Sequence, residues 1–256
     1  MTLQLKSGNL NYLDQGSGPA VLLLHAFPLN HTMWQRQVAS LSSRFRVIAP
    51  DIWGFGESSP ALPWTIDSVC DDLVEFLDRL GLGECAIAGL SMGGYIAIPF
   101  YSKYPERVRQ LVLANTRARA DNEAEKAART EMIAALEQNG ARILPDRMLP
   151  RLLQANPPPE IVRVVRDIIE QASAQAAIQA VMAMRDRPDC STVLHRIKCP
   201  AMVVAGEYDL ITRIDDCRAM AETISGGRFL RISNAGHLSN LENAEEFNRA
   251  LNDFLV

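Results

Sequence analysis

The chain has 256 residues, enough for one α/β domain carrying an insertion, and 48% are hydrophobic against 22% charged, which excludes a disordered chain. A formal net charge of −4 leaves no basic excess to collect phosphates, so nucleic acid is not an expected partner. No run approaches the ~18 apolar residues of a membrane span, and the start MTLQLKSGNL lacks the charged head and long apolar stretch of a signal peptide, so a soluble, cytoplasmic protein is expected.

Two short alternating runs, 3–6 and 10–14, flank Ser7-Gly8-Asn9 and predict an antiparallel hairpin. The wholly apolar run 20–24 then reads as a strand buried on both faces, as in a parallel sheet. Runs 46–49, 85–88, 108–114 and 201–205 are of the same kind, and 229–232 is a more polar version suited to an edge. Helical patterns fall between them. In 66–80, Val69, Leu73, Phe76, Leu77 and Leu80 share a stripe that Gly81 ends, and Phe247, Ala250, Leu251 and Phe254 form another near the C-terminus. The alternation predicts an α/β fold with right-handed crossovers and helices on both faces of the sheet.

The stretch 116–194 breaks the alternation. It has no good strand run and is rich in Ala, Arg, Glu and Gln. Helical spacing appears at Met132, Ala135 and Leu136 and again at Ile161, Val165 and Ile169, with Pro157-Pro158-Pro159 between the two. We read 1–115 and 195–256 as the core and 116–194 as a helical cap inserted between two strands, because a connection of that length needs structure or function of its own.

The five cysteines show no C-x-x-C spacing and read as reduced, mostly buried thiols. The four histidines, at 25, 31, 195 and 237, are scattered, so no metal site is expected. The loop 51–58 holds two glycines but not the order of a phosphate-binding loop, and it reads as structural; no cofactor is expected.

Gly89-Leu90-Ser91-Met92-Gly93 follows a buried strand and precedes a helical run at 95–104. In that setting a G-x-S-x-G turn lifts a serine hydroxyl above the strand tips, and its small flanking residues relieve the crowding of a sharp bend. A serine hydroxyl needs a base, and the base needs a carboxylate to hold it. His195 precedes a strand and belongs at the wrong edge of the sheet. His237, in Asn234-Ala-Gly-His-Leu238, follows the last strand and belongs at the reactive edge, outside the strand C-termini. For the acid, Asp209 lies beyond the strand that ends at Gly206 and is preferred to Glu207. Position 115, where some proteins of this kind carry the acid, holds Asn. Two backbone N–H groups are expected to bind a developing oxyanion, those of Met92 and of Phe27 in His25-Ala-Phe-Pro28. His25 is read as a brace for that loop.

Taken together, His25-Ala-Phe-Pro28, Asp51-x-x-Gly54-x-Gly56-x-Ser58, Gly89-x-Ser91-x-Gly93-Gly94, Gly206-x-x-Asp209 and Gly236-His237 resemble the α/β-hydrolase fold family over nearly the whole chain. The resemblance implies a mostly parallel eight-stranded sheet, a Ser91–Asp209–His237 triad and a cap after the sixth strand. Asn115-Thr-Arg117 and Asp216-Cys-Arg-Ala-Met-Ala221 make it most similar to the 3-oxoadipate enol-lactonase and carboxylesterase branch. Two features depart from the pattern. Ala26 stands where relatives usually have Gly, and Pro99 lies inside the helix after the nucleophile, where a proline costs about 3 kcal/mol unless offset.

The expected function is hydrolysis of a small-molecule ester or lactone through an acyl-enzyme. A carboxylated substrate would draw on a cap arginine, among them Arg117, Arg119, Arg142, Arg151 and Arg163. The same triad chemistry also serves cofactor-free perhydrolases (the haloperoxidase branch) and carbon–carbon bond hydrolases, and a non-catalytic ligand-sensing protein with this fold is an alternative of another class. The sequence leaves the natural substrate and the oligomeric state open, a homo-oligomer included.

Overall fold

The computed structural model describes residues 1–60 and 63–256. Its first two strands, β1 (Thr2–Leu5) and β2 (Gly8–Gln15), form the hairpin that the alternation predicts, with Leu5 opposite Gly8 so that only Lys6 and Ser7 turn the chain. Then come β3 (Ala20–Leu24), α1 (Gln35–Leu41), β4 (Arg46–Pro50), α2 (Ile66–Arg79), β5 (Cys85–Leu90), α3 (Met92–Lys103) and β6 (Val108–Ala114). The later core elements are β7 (Ala201–Gly206), α9 (Ile214–Thr223), β8 (Arg228–Ile232), α10 (Ser239–Glu242) and α11 (Ala244–Phe254). Among the described residues the eight strands form one sheet in the order β1-β2-β4-β3-β5-β6-β7-β8. β2 meets β4 antiparallel, and every pair from β4 to β8 is parallel.

Burial explains the strand sequences. Each residue of β3, β5 and β7 is buried, which is why these runs carry no alternation. β8 lies at the edge and leaves Arg228 and Arg231 in water. Right-handed crossovers put α1 on one face and α2 and α3 on the other; α1 packs on α11, and α2 on α3. α2 starts at a reciprocal cap in which Thr65 Oγ1 accepts Ser68 N–H at 3.1 Å and Ser68 Oγ accepts Thr65 N–H at 3.0 Å. It buries Val69, Leu73, Phe76 and Leu77, each contributing about 1.5–3 kcal/mol of apolar burial.

Between β6 and β7 the described chain contains helices and no strand: α4 (Glu123–Asn139), α5 (Leu144–Leu152), α6 (Pro159–Ile169), α7 (Ala174–Arg185) and the single turn α8 (Ser191–Leu194). α4 packs on α7 and α5 on α6. A buried ion pair ties this segment to itself: Asp121 accepts from Arg187 at 2.8 Å and from Arg129 at 2.5 Å. The Arg187 guanidinium also stacks 3.9 Å above the Tyr95 ring on α3 and so reaches the core.

Two differences from the sequence reading have simple causes. α3 begins at Met92 rather than Tyr95, because the turn at Ser91 itself starts the helix. α1, α5 and α7 were not foreseen; α5 carries two prolines and α7 is alanine-rich, so neither shows a clear apolar stripe. Pro99 sits within α3 and, with Arg187, Pro188 and Cys190, lines a crevice where the inserted helices rest on α3. All five cysteines are free; Cys70, Cys85 and Cys217 are buried, and burial pushes the Cys85 thiol up to about 12.

Candidate active site

Ser91 closes β5 at φ 55°, a conformation that disfavours a side chain and costs on the order of 1–3 kcal/mol. The bend is possible because its neighbours lack Cβ atoms. A Cβ on Gly89 would strike the Gly93 carbonyl, and one on Gly93 would strike the carbonyl of Leu24 in β3. β3 and α3 therefore touch backbone to backbone. Leu24 pairs with Gly89 in the sheet, so the loop that follows β3, with Phe27 three residues on, rises beside the Ser91 turn.

That loop is heavily braced. His25 is fully buried; its Nε2 accepts Ile52 N–H at 2.9 Å, which leaves Nδ1 to donate to Ala26 O at 3.0 Å. Burial lowers the His25 pKa, consistent with a neutral ring. Asp51 Oδ1 accepts both the backbone N–H of His31 at 2.7 Å and its Nδ1 at 2.8 Å, while Oδ2 accepts from Asn11 at 2.8 Å. The loop 51–58 thus supports the loop bearing Phe27, and the Phe27–Pro28 peptide is cis. Ala26 N–H is directed to Met33 Sδ at 3.3 Å. The amides of Phe27 and Met92 donate to no acceptor among the described residues. Met92 opens α3, where the helix dipole favours negative charge.

Asp209 and His237 come together because β7 and β8 run parallel with Gly206 beside Ile232. The loops leaving these strands cross closely: Tyr208 N–H donates to Ala235 O at 2.8 Å, and a Cβ on Gly206 would strike the carbonyl of Gly236. His237 Nδ1 lies 2.8 Å from Asp209 Oδ2. The carboxylate also accepts Ile211 N–H at 2.7 Å, Thr212 N–H at 3.0 Å, Asn115 Nδ2 at 2.8 Å and the Thr212 hydroxyl. Burial alone would push its pKa up, but the charge and hydrogen bond of His237, with the bonds from Thr212 and Asn115, outweigh burial and hold it down at about 2. An ionised Asp209 makes Nδ1 the protonated nitrogen, and Nε2 is left as the basic one. Glu207, the other acid weighed from sequence, is engaged elsewhere, with Arg231 at 3.0 Å and Asn234 N–H at 3.1 Å.

Ser91, Phe27 and His237 line one cavity of about 290 Å³, and the Ser91 hydroxyl has no hydrogen-bond partner among the described residues. The inserted helices supply the far wall through Met132, Met148, Leu152, Val181 and Met184. Of the five cap arginines singled out from sequence, Arg117 and Arg151 reach this cavity; Arg119 lines a neighbouring groove, and Arg142 and Arg163 face water elsewhere. Arg117 is taken by Glu125 at 2.5 Å and by Ile211 O at 2.9 Å, whereas Arg151 has no acidic partner among the described residues. His195 is exposed at the end of α8, away from the cavity, as its place before β7 predicts. Three supporting residues escaped the sequence reading. Thr212 and Asn115 bear on Asp209, and Met33 on Ala26; Thr212 and Met33 stand in no motif, and the sequence marks Asn115 only within Asn115-Thr-Arg117 and as an alternative place for the acid. Among the described residues no cluster of His, Cys, Asp or Glu could hold a metal ion, and no helix is long and apolar enough to cross a membrane.

A sheet of this order with a serine turn after its fifth strand defines an α/β hydrolase. The model of the alpha/beta hydrolase fold family matches residues 19–244, and the chain belongs to that family. Within it the chain is similar to 3-oxoadipate enol-lactonase 2 of Acinetobacter baylyi, at 30% identity over 98% of this chain and 94% of that protein. Among solved structures it is similar to a thermophilic esterase from Thermogutta terrifontis (35% identity, TM-score 0.95, covering 100% of this chain and 97% of that one). It is also similar to the enol-lactonase from Burkholderia xenovorans (28% identity, TM-score 0.91, covering 100% and 99%).

Proposed function

We propose that the protein hydrolyses a carboxylic ester or lactone by transient acylation of Ser91. The observation that carries this reading is the arrangement at one cavity. A serine held at positive φ shares it with a histidine whose other ring nitrogen is fixed 2.8 Å from a buried, ionised aspartate. The names of similar proteins, an enol-lactonase and an esterase, support the same reaction class.

In this scheme His237 Nε2 takes the Ser91 proton as Oγ attacks the carbonyl carbon. Asp209 keeps Nδ1 protonated and stabilises the imidazolium that forms. The carbonyl oxygen becomes an oxyanion bound by the amides of Phe27 and Met92, a contribution of order 10²–10³ in turnover per donor. Collapse of the tetrahedral species returns the proton from His237 to the leaving alcohol oxygen. A water molecule, deprotonated by the same nitrogen, then cleaves the acyl-enzyme and regenerates Ser91. The Ser91–His237 contact closes as substrate fills the cavity, the usual tightening between a free enzyme and its complex.

We assign 116–194 as the cap that shapes the substrate site, since its helices build the wall opposite Ser91. Arg151, the lining arginine without an acidic partner among the described residues, is the group suited to a substrate carboxylate. The test of the reaction is Ser91→Ala. It is expected to abolish turnover of aryl esters and lactones and labelling by a fluorophosphonate, with the unfolding midpoint little changed. Parent-like turnover in that variant would refute the scheme.

A further inference from the structure

Glu242 ends α10, the single turn that follows His237, and the acyl-transfer scheme does not use it. Its carboxylate is held between backbone amides from two distant parts of the chain. Oε2 accepts the N–H of Gly236, the residue before His237, at 2.8 Å. Oε1 accepts the N–H of Gln154, just past α5 in the cap, at 2.8 Å. The same seam carries Leu238 N–H to Leu152 O at 3.1 Å and Gln154 Nε2 to Asn234 O at 3.2 Å. There is no slack in it. A Cβ on Gly236 would lie 2.7 Å from Gln154 N and 2.8 Å from Leu153 C, and on the other side Gly206 presses against the Gly236 carbonyl. The His237 loop is therefore clamped between the end of β7 and the cap. α5, which leads into the clamp, is the helix that places Met148, Arg151 and Leu152 in the cavity wall.

We propose that Glu242 is a positioning residue whose carboxylate bridges the cap to the His237 loop, so that the wall of the substrate site and the base move as one body. This rests on the reading of His237 as the base. The bridge needs both oxygens as acceptors. Protonating one leaves a hydroxyl oxygen that accepts only weakly and adds an O–H that needs an acceptor of its own, so one of the two bonds is weakened. Burial pushes the Glu242 carboxyl up to about 7, against the pull of the Gln154 and Gly236 amides and of His237. The ionisable groups facing it from the core loops are His237 and Asp209. From the cap, the neighbouring segment offers the neutral Gln154, with Arg151 three residues earlier on the cavity wall. Glu246 on α11 is turned away to Ser233 N–H and Asn243, both at 2.9 Å. The bridged form is thus the ionised form, and its share rises as pH rises through neutrality.

The test is Glu242→Gln, which keeps the size but presents an NH₂ group to one of the two amides and so resembles the weakened bridge at every pH. Steady-state kinetics on one aryl ester are compared across about two pH units either side of neutrality, where wild type and variant differ in this one ionisation. On the alkaline side wild-type kcat is expected to exceed the variant's by about 10- to 100-fold, the scale of a misplaced catalytic group. KM is expected to change little, and the kcat ratio to shrink toward unity on the acid side. A ratio that does not vary with pH, or a variant equal to wild type, overturns the proposal. Should Glu242→Gln not fold, the wild-type kcat profile decides: its acid limb must contain two ionisations, and a single one overturns the proposal. The Ser91→Ala protein is run alongside. Activity in that protein would condemn the reading of the site, whereas a dead Ser91→Ala with a flat ratio would sink only the bridge.

Discussion

Asp209 illustrates how much of the chemistry lies in a residue's partners. Five donors converge on two oxygens, so the charge persists despite burial, and the charge fixes which nitrogen of His237 is basic. Replacing Asp209 with Asn removes that control and is expected to lower kcat about 10⁴-fold, as loss of the orienting carboxylate does in triad enzymes. The same shift makes a stability statement. A carboxyl held at about 2 in the folded chain, below its ordinary value of 3.8, contributes stability that is complete above about pH 4. That contribution is lost as pH falls through about 2. Urea unfolding at a series of acid pH values should show the gap between wild type and Asp209→Asn closing across that window. A gap of constant size would contradict the assignment.

The element that decides the site's geometry is the strand–turn–helix unit of β5 and α3. Its bend survives because Gly93 lets α3 lie directly on the carbonyl of Leu24, and Gly94 lets it lie on Thr116. Backbone cannot yield as a side chain can, so Gly93→Ala must push α3 away from β3. The expected cost is about 1–3 kcal/mol, the range for overfilling a close-packed site. Because the displaced helix carries Met92, and β3 leads to Phe27, turnover should fall by more than stability does. Urea unfolding and kcat measured on the same preparation check both effects.

Across the whole molecule, the substrate cavity belongs to neither part alone. The core brings Ser91, His237 and Phe27, and the segment 116–194 brings an apolar wall and Arg151. The other charges of that segment are largely spent on one another. Hydrogen bonds from Arg119 hold Glu125 well below the usual carboxylate range, and Asp121 is lowered by Arg187 and Arg129 against its burial. Arg151 is therefore expected to act on substrate. Arg151→Ala should raise KM for a carboxylated lactone about 10- to 100-fold, the equivalent of one charge-assisted hydrogen bond, and leave a neutral aryl ester nearly unaffected. Equal effects on both compounds would remove Arg151 from substrate recognition.

Much of this was legible in the residues because the physics was local. Fully buried parallel strands must be apolar throughout, a sharp turn bearing a side chain needs glycine beside it, and a parallel sheet exposes its chemistry at the C-terminal ends of its strands; these rules sufficed to locate the strands and to bring Ser91, Asp209 and His237 into one hypothesis. They did not reach α1, α5 and α7, whose stripes are short or blurred by proline and alanine. Nor did they reach Thr212, Met33 or Glu242: Thr212 and Met33 act across turns that no pattern marks, three and seven positions from Asp209 and Ala26, and Glu242 joins Gly236 to Gln154, which is 88 positions away. Sequence alone determined the sheet, the serine turn and the order of the reacting groups, since each follows from a residue's own shape and its near neighbours. Which of the cavity's arginines lacks an acidic partner and which amides lack an acceptor among the described residues, and how the segment 116–194 is joined to the histidine loop, were decided only by tertiary structure, because each depends on what distant segments leave unsatisfied when they meet.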